Sequence, residues 1–142
     1  MAPGKQTALM PGNEDRVGFW LTPPDLMAEL QAEFDFNFDS APYPRPAGFD
    51  CLKEPWGKRT WVNPPIRAGE SLTSWAKKAI AENRRGGLIA LVAPMPCYWF
   101  QLLLEAGAEV RSLGVIKWQN PDGSSAGAHH HGNILFILRP KP

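Results

Sequence analysis

Thr60-Trp61-Val62-Asn63-Pro64-Pro65-Ile66 is a short β-type run that stops at an asparagine followed by two prolines. Neither proline has a backbone N–H, and each biases the residue before it away from the helical region. The chain therefore leaves a strand in a stiff, extended turn. Such a turn can hold the Asn63 side chain and the Pro64 carbonyl together at the carboxyl edge of a sheet. In open α/β sheets that edge is where ligands bind. The rest of the chain reads as scaffold for this turn, or as a wall of the pocket in front of it.

Upstream, residues 1–17 mix Pro, Gly, Lys and polar groups without periodicity and read as a flexible N-terminal arm. Residues 18–142 read as a single domain, with order starting at Gly18-Phe19-Trp20-Leu21. Thr22-Pro23-Pro24-Asp25 is a helix start, with Thr22 as N-cap and Pro23 in the first turn. Leu26, Leu30 and Phe34 fall on one face of that helix, with Met27 beside them. Phe36-Asn37-Phe38-Asp39 alternates like a short strand with Asp39 at its carboxyl end. A proline-rich, aromatic loop follows, from Ser40 to about Trp56, and reads as an ordered wall.

Downstream, Ser71 to Arg84 is the strongest helical pattern. Leu72, Trp75, Ala76, Ala79 and Ile80 fall on one face; Lys77, Lys78, Glu82 and Arg84 fall on the other. Gly86-Gly87 stops it. Leu88-Ile89-Ala90-Leu91-Val92-Ala93 reads as a strand buried on both faces. A short apolar helix from Tyr98 to Ala106 and a strand from Glu109 to Leu113 follow. Gly114 to Gly132 reads as a long mobile loop containing an Asn-Pro-Asp-Gly turn. Asn133 to Leu138 closes the chain as a strand, paired antiparallel at an edge or inserted between others. The alternation predicts an α/β domain with a mostly parallel sheet and covering helices.

Composition sets wide bounds. The chain has 142 residues, 44% of them hydrophobic, with 15 prolines and 6 tryptophans. The formal charge of +1 neither demands nor excludes a nucleic-acid partner, since a local basic face can be offset elsewhere. Cys51 and Cys97 lack metal or redox spacing. The longest apolar run is too short for a bilayer, and the start lacks a signal pattern, so a soluble cytoplasmic protein is expected. His129-His130-His131 is a poor metal site because adjacent residues do not converge on one ion; a solvated loop or a contact to nucleic acid fits it better.

The order of motifs resembles a known family. Trp20-Leu21-Thr22-Pro23, Glu33-Phe34-x-Phe36-x-Phe38-Asp39-x-Ala41, Trp56, Val62-Asn63-Pro64-Pro65, Trp75 and Leu91-Val92-Ala93-Pro94 precede a closing apolar strand. The series, from Trp20 to Leu138, is similar to the compact Dam-like DNA N6-adenine methyltransferases of bacteriophages and prophages. That resemblance implies a Rossmann-like fold of the compact methyltransferase type. It also implies S-adenosylmethionine (AdoMet) as methyl donor and adenine in double-stranded DNA as acceptor, within a bacterial host cell. It places Asn63, Pro64, Pro65 and Ile66 at the catalytic motif. Trp20, Thr22, Pro23, Asp39 and Ala41 fall at the cofactor pocket, with Asp39 also open to a plain turn role. Lys58, Arg59, Arg67, Lys117 and His130 are candidate DNA contacts.

The chemistry suits these residue types. The exocyclic amine of adenine is a weak nucleophile because its lone pair is delocalised into the ring. Acceptors on its two N–H groups, here Asn63 Oδ1 and the Pro64 carbonyl, favour a pyramidal nitrogen with that lone pair released. The base must leave the duplex to reach them. The family's motif ends in an aromatic where this chain has Ile66, so stacking falls to Trp61, Tyr43, Tyr98 or Trp99. A chain that binds nucleic acid or protein without catalysis, and transfer to another exocyclic amine such as cytosine N4, are the competing readings.

Overall fold

A computed structural model describes residues 21–65, 71–94, 99–120, 122, 125–128 and 132–141. In chain order the elements are α1 (Pro24–Phe34), β1 (Phe38–Asp39), β2 (Arg59–Val62), α2 (Leu72–Arg84) and β3 (Leu88–Pro94). They continue with α3 (Trp99–Glu105), β4 (Glu109–Gly114), β5 (Lys117–Gln119), β6 (Ser125–Ala128) and β7 (Asn133–Leu138).

The apolar run at β3 lies at the middle of a five-stranded sheet of order β1-β2-β3-β7-β4. β1, β2 and β3 run parallel. β7 is inserted between β3 and β4 and runs antiparallel to both. The sheet is therefore mixed, and parallel only through its first three strands. All six residues of β7 are buried, as an interior strand requires.

Strand alternation splits the core into two layers. Val62, Ile89, Leu91, Ala93, Ile134, Phe136 and Leu138 face α2, α3 and the long loop. Trp61, Leu88, Ala90, Val92, Leu135 and Ile137 face α1 and the 115–119 segment. Burial on both faces explains why β3 and β7 show no polar alternation in sequence. At the far edge, Glu33 accepts two hydrogen bonds from Arg111, at 2.7 and 2.8 Å, tying α1 to β4.

Several expectations need correction. The N-cap of α1 is Pro23, not Thr22, and no side chain caps it. Pro24 occupies the first helical position, where its missing N–H costs nothing. The strand predicted from Phe36 is shortened to Phe38–Asp39, because the Phe36 carbonyl accepts from Gln31 Nε2 instead of from a strand. The predicted helix from Tyr98 spans Trp99–Glu105, and Tyr98 lies outside the described residues. The helix from Ser71 is as expected, with Ser71 Oγ accepting from the Ser74 N–H. Its Glu82, however, is buried rather than solvated, and Lys78 is largely covered as it reaches Glu82.

The largest correction falls on the segment read as a mobile loop. Lys117–Gln119 and Ser125–Ala128 pair antiparallel as a hairpin. Ile116 and Trp118 plug into the α1-side core while Lys117 points outward. That alternation is a strand signal. It is masked by the following Ser-Ala-Gly-Ala strand, whose small residues carry no β-pattern.

Candidate functional site

A cavity of about 530 Å³ lies along the free edge of β1 and the carboxyl end of β2. Four groups of residues build its walls. Phe36, Asn37, Phe38 and Asp39 come from β1 and its lead-in; Trp61 and Asn63 come from β2 and its exit. Leu21, Thr22, Met27 and Gln31 come from α1 and the chain entering it, and Ala41 and Tyr43 from the long loop.

Local chemistry sets each wall. Pro64 and Pro65 are buried behind Asn63 and hold the turn rigid without lining the cavity. Asn63 Nδ2 approaches Thr22 Oγ1 at 3.5 Å, which ties the exit of β2 to the entry of α1. Ser40, fully buried, donates both its N–H and its hydroxyl to the Trp61 carbonyl, each at 3.1 Å. This pair of hydrogen bonds clamps the end of β1 to β2. Asp39 then folds over the turn, and its Oδ1 accepts the Ala41 N–H at 3.0 Å. Asp39 therefore has the turn role open to it in the sequence and also lines the cavity.

Burial pushes the Asp39 carboxyl up to about 6, against the smaller opposing pull of the Ala41 N–H. A carboxyl poised so near neutrality, in a concave site, marks a functional candidate on physical grounds. The other amides are committed: Gln31 Nε2 donates to the Phe36 carbonyl, and Asn37 Oδ1 accepts the Arg59 N–H. Aromatic rings make the apolar part, with Phe36 and Trp61 centroids 5.6 Å apart.

Of the sequence candidates, Thr22, Asp39, Ala41 and Asn63 meet at this one cavity. Pro23 sits beside it as the cap of α1. Trp20, Ile66, Arg67 and His130 lie outside the described residues. Lys58 and Arg59 do not line the cavity: they enter β2 at its amino end, where Arg59 pairs through its backbone with the wall residue Asn37, while the Asn63 turn leaves at the other end. The Arg59 guanidinium is also engaged there, with Nε donating to the Asp35 carbonyl at 2.7 Å and Nη2 3.6 Å from the Asp35 carboxylate. Lys117 is exposed on the hairpin, two residues from Gln119. Gln119 exchanges backbone hydrogen bonds with Leu21, at 2.7 and 3.0 Å. The hairpin is thus hung from a residue of the cavity wall.

Among the aromatics offered for stacking, Trp61 and Tyr43 line the cavity. Trp99 is spent in the core, edge-on to Phe136. Gln31 and Met27 were missed as wall residues; their positions on the α1 face that also carries Leu30 and Phe34 were the available signal. Among the described residues no cluster of metal-ligating side chains exists, and no helix is long and apolar enough to cross a membrane. Cys51 is buried, and Cys97 lies outside the described residues. No family model, curated protein or solved structure matches the chain.

Proposed function

We propose that the protein is an AdoMet-dependent DNA methyltransferase acting on the N6 amino group of adenine. One observation carries the reading. Thr22, Asp39, Ala41 and Asn63, separated in sequence, line one cavity at the carboxyl end of parallel strands. Its volume of about 530 Å³ is in the range that holds a ligand of drug or cofactor size. The half-buried Asp39 carboxylate suits ribose hydroxyls or a cationic centre, and the rings of Phe36, Phe38, Tyr43 and Trp61 suit a planar base. AdoMet supplies an activated methyl group on a sulfonium when bound.

The chain's own part is positioning and electrostatics. Asn63 Oδ1, at the cavity wall, accepts an N–H of the target amine, which favours the pyramidal nitrogen needed for attack; Pro64 is buried behind it, so the second acceptor role read for its carbonyl does not carry over to this cavity. Asn63 does not titrate, so it works as a fixed dipole whose effect grows where water is excluded. Thr22 holds the carboxamide from its nitrogen side. Burying Pro64 and Pro65 keeps the Asn63 acceptor from reorganising as charge develops.

Calorimetry with AdoMet and with its demethylated product tests the cofactor. Digestion and mass spectrometry of DNA from cells expressing the protein tests the acceptor. N6-methyladenine is expected. N4-methylcytosine moves the reading to the other exocyclic amine. Folded protein that gives no heat with either compound removes the enzyme reading in favour of a binding module.

A further inference from the structure

Glu82 is the only acid on α2, and it is 5% exposed. Its Oε2 accepts from Lys78 Nζ at 2.7 Å and from Arg85 Nη1 at 3.0 Å. Its Oε1 accepts the Trp56 backbone N–H at 3.2 Å, twenty-six residues away in sequence. Burial opposes its ionisation, but Lys78, the Trp56 N–H and Arg85 together outweigh that and hold the carboxyl below its ordinary range. Glu82 is therefore an ionised group spent on a loop.

Trp56 is fixed from every side. Its ring stacks on that of Trp75 at 6.0 Å, and Lys78 Nζ lies 5.5 Å from its centroid. Its indole N–H donates to the Cys51 carbonyl at 2.9 Å. The next residue, Gly57, is pressed against the back of the cavity wall. A Cβ there would stand 2.7 Å from Phe38 Cβ and 3.0 Å from Asn37 Oδ1. Phe38 Cβ is bonded to backbone and cannot swing aside, so any side chain at Gly57 must displace the strand. Phe38 and Asn37 both line the cavity, and Asp39 follows directly.

We propose that Glu82 is a positioning residue for the cavity: by holding Trp56 it seats Gly57 against Phe38, and so sets where β1 presents Asp39. The proposal rests on the cavity being the ligand site. It gives a reason for a buried charge on α2, whose desolvation a merely structural apolar residue would avoid. It also gives a reason for a glycine at a position where no turn geometry demands one.

The test compares Glu82→Ala, Gly57→Ala and Arg85→Ala with the parent, in protein confirmed as folded by circular dichroism. Two readouts are used: titration of the Asp39 carboxyl carbon by NMR, and AdoMet affinity by calorimetry. Glu82→Ala and Gly57→Ala should bring the Asp39 midpoint down toward the ordinary carboxylate range as water reaches a displaced β1. They should also weaken AdoMet on the order of tenfold, since small misplacements of a site are costly. Arg85→Ala removes only the exposed cation, keeps the Trp56 bond, and should change neither. Glu82→Gln keeps an acceptor for Trp56 but turns an amide N–H toward Lys78 or Arg85, and should fall between. An unmoved Asp39 titration in folded Glu82→Ala and Gly57→Ala overturns the proposal. A moved titration in a protein that binds no AdoMet upholds the positioning role and removes the methyltransferase reading instead.

Discussion

Asn63 and Thr22 meet in the wall of the cavity, with Asn63 Nδ2 donating to Thr22 Oγ1 at 3.5 Å over a sequence separation of 41. The contact orients the carboxamide of the residue assigned to hold the target amine. It also removes the need for Thr22 as a helix cap, since Pro23 and Pro24 start α1 without one.

The two residues should separate kinetically. Asn63→Ala should abolish methyl transfer while changing AdoMet affinity little, because the acceptor is used in the transition state. Thr22→Val keeps the shape and removes the hydroxyl. It should lower kcat on the order of tenfold, the scale of about 1.4 kcal/mol in the barrier, with AdoMet affinity retained. Single-turnover transfer to duplex DNA, beside calorimetry, measures both. Equal loss of binding and rate in Asn63→Ala would make it a cofactor ligand rather than an acceptor for the base.

Asp39 gives a pH dependence of unusual sign. Its folded value of about 6 lies above the ordinary 3.8, so the folded protein binds the extra proton between those limits. Its contribution to stability is full below about pH 4 and is lost as pH rises through about 6. Asp39→Asn should flatten that slope and raise the melting temperature at neutral pH. If AdoMet is the ligand, its binding has the opposite dependence, since its cationic centre favours the carboxylate. AdoMet affinity should rise as pH increases through about 6 and then level, and Asp39→Asn should be weaker and flat. Calorimetry from pH 5 to 8 decides this; equal affinity at both ends would detach Asp39 from the cofactor.

The hairpin should be ordered without DNA, contrary to what its Gly and Ser content suggests. Trp118 is 7% exposed in the α1-side core, and Gln119 is bonded to Leu21 at both its N–H and its carbonyl. Trp118→Ala should cost about 3–5 kcal/mol, as for a large buried aromatic. Amide exchange in the free protein should show the Leu21 and Gln119 N–H groups protected. Fast exchange at both would return the segment to a mobile loop.

Much of the architecture was legible where one physical signal dominated. Leu88–Ala93 and Asn133–Leu138 carry enough apolar residues to be interior strands on any register, and Ser71 both caps and announces α2. Asp39 and Asn63 were legible as neighbours at one sheet edge because Asp39 ends β1 and Asn63 directly follows β2. Other features depend on partners remote in sequence. Glu82 has the spacing of a solvated residue, and only the Trp56 N–H and Lys78 make its burial tolerable. Arg59 reads as a free cation beside the Asn63 turn, yet Asp35, at the end of α1, claims it. Strand β6 is set by pairing with Lys117–Gln119 rather than by its own small residues.

That difference between Arg59 and Lys117 bears on where the proposed DNA partner would be held. Lys58 and Arg59 enter β2 at its amino end, away from the turn that carries Asn63, and Arg59 already serves Asp35. Lys117 is exposed on the hairpin hung from Leu21, at the cavity wall. On the proposed reading, a duplex delivering a flipped base to Asn63 is expected to meet Lys117 rather than the engaged guanidinium of Arg59. Lys117→Ala should weaken binding to all duplex sequences alike and reduce the slope of log affinity against log salt by about 1, the loss of one phosphate contact. Arg59→Ala should leave both the affinity and the slope unchanged, with a small loss of stability from the exposed Asp35 pair. Fluorescence anisotropy with a labelled duplex over a salt series measures these slopes. A reduced slope in Arg59→Ala with none in Lys117→Ala would place the duplex at the amino end of the sheet, where a base could not reach Asn63, and would count against methyl transfer to DNA at this cavity.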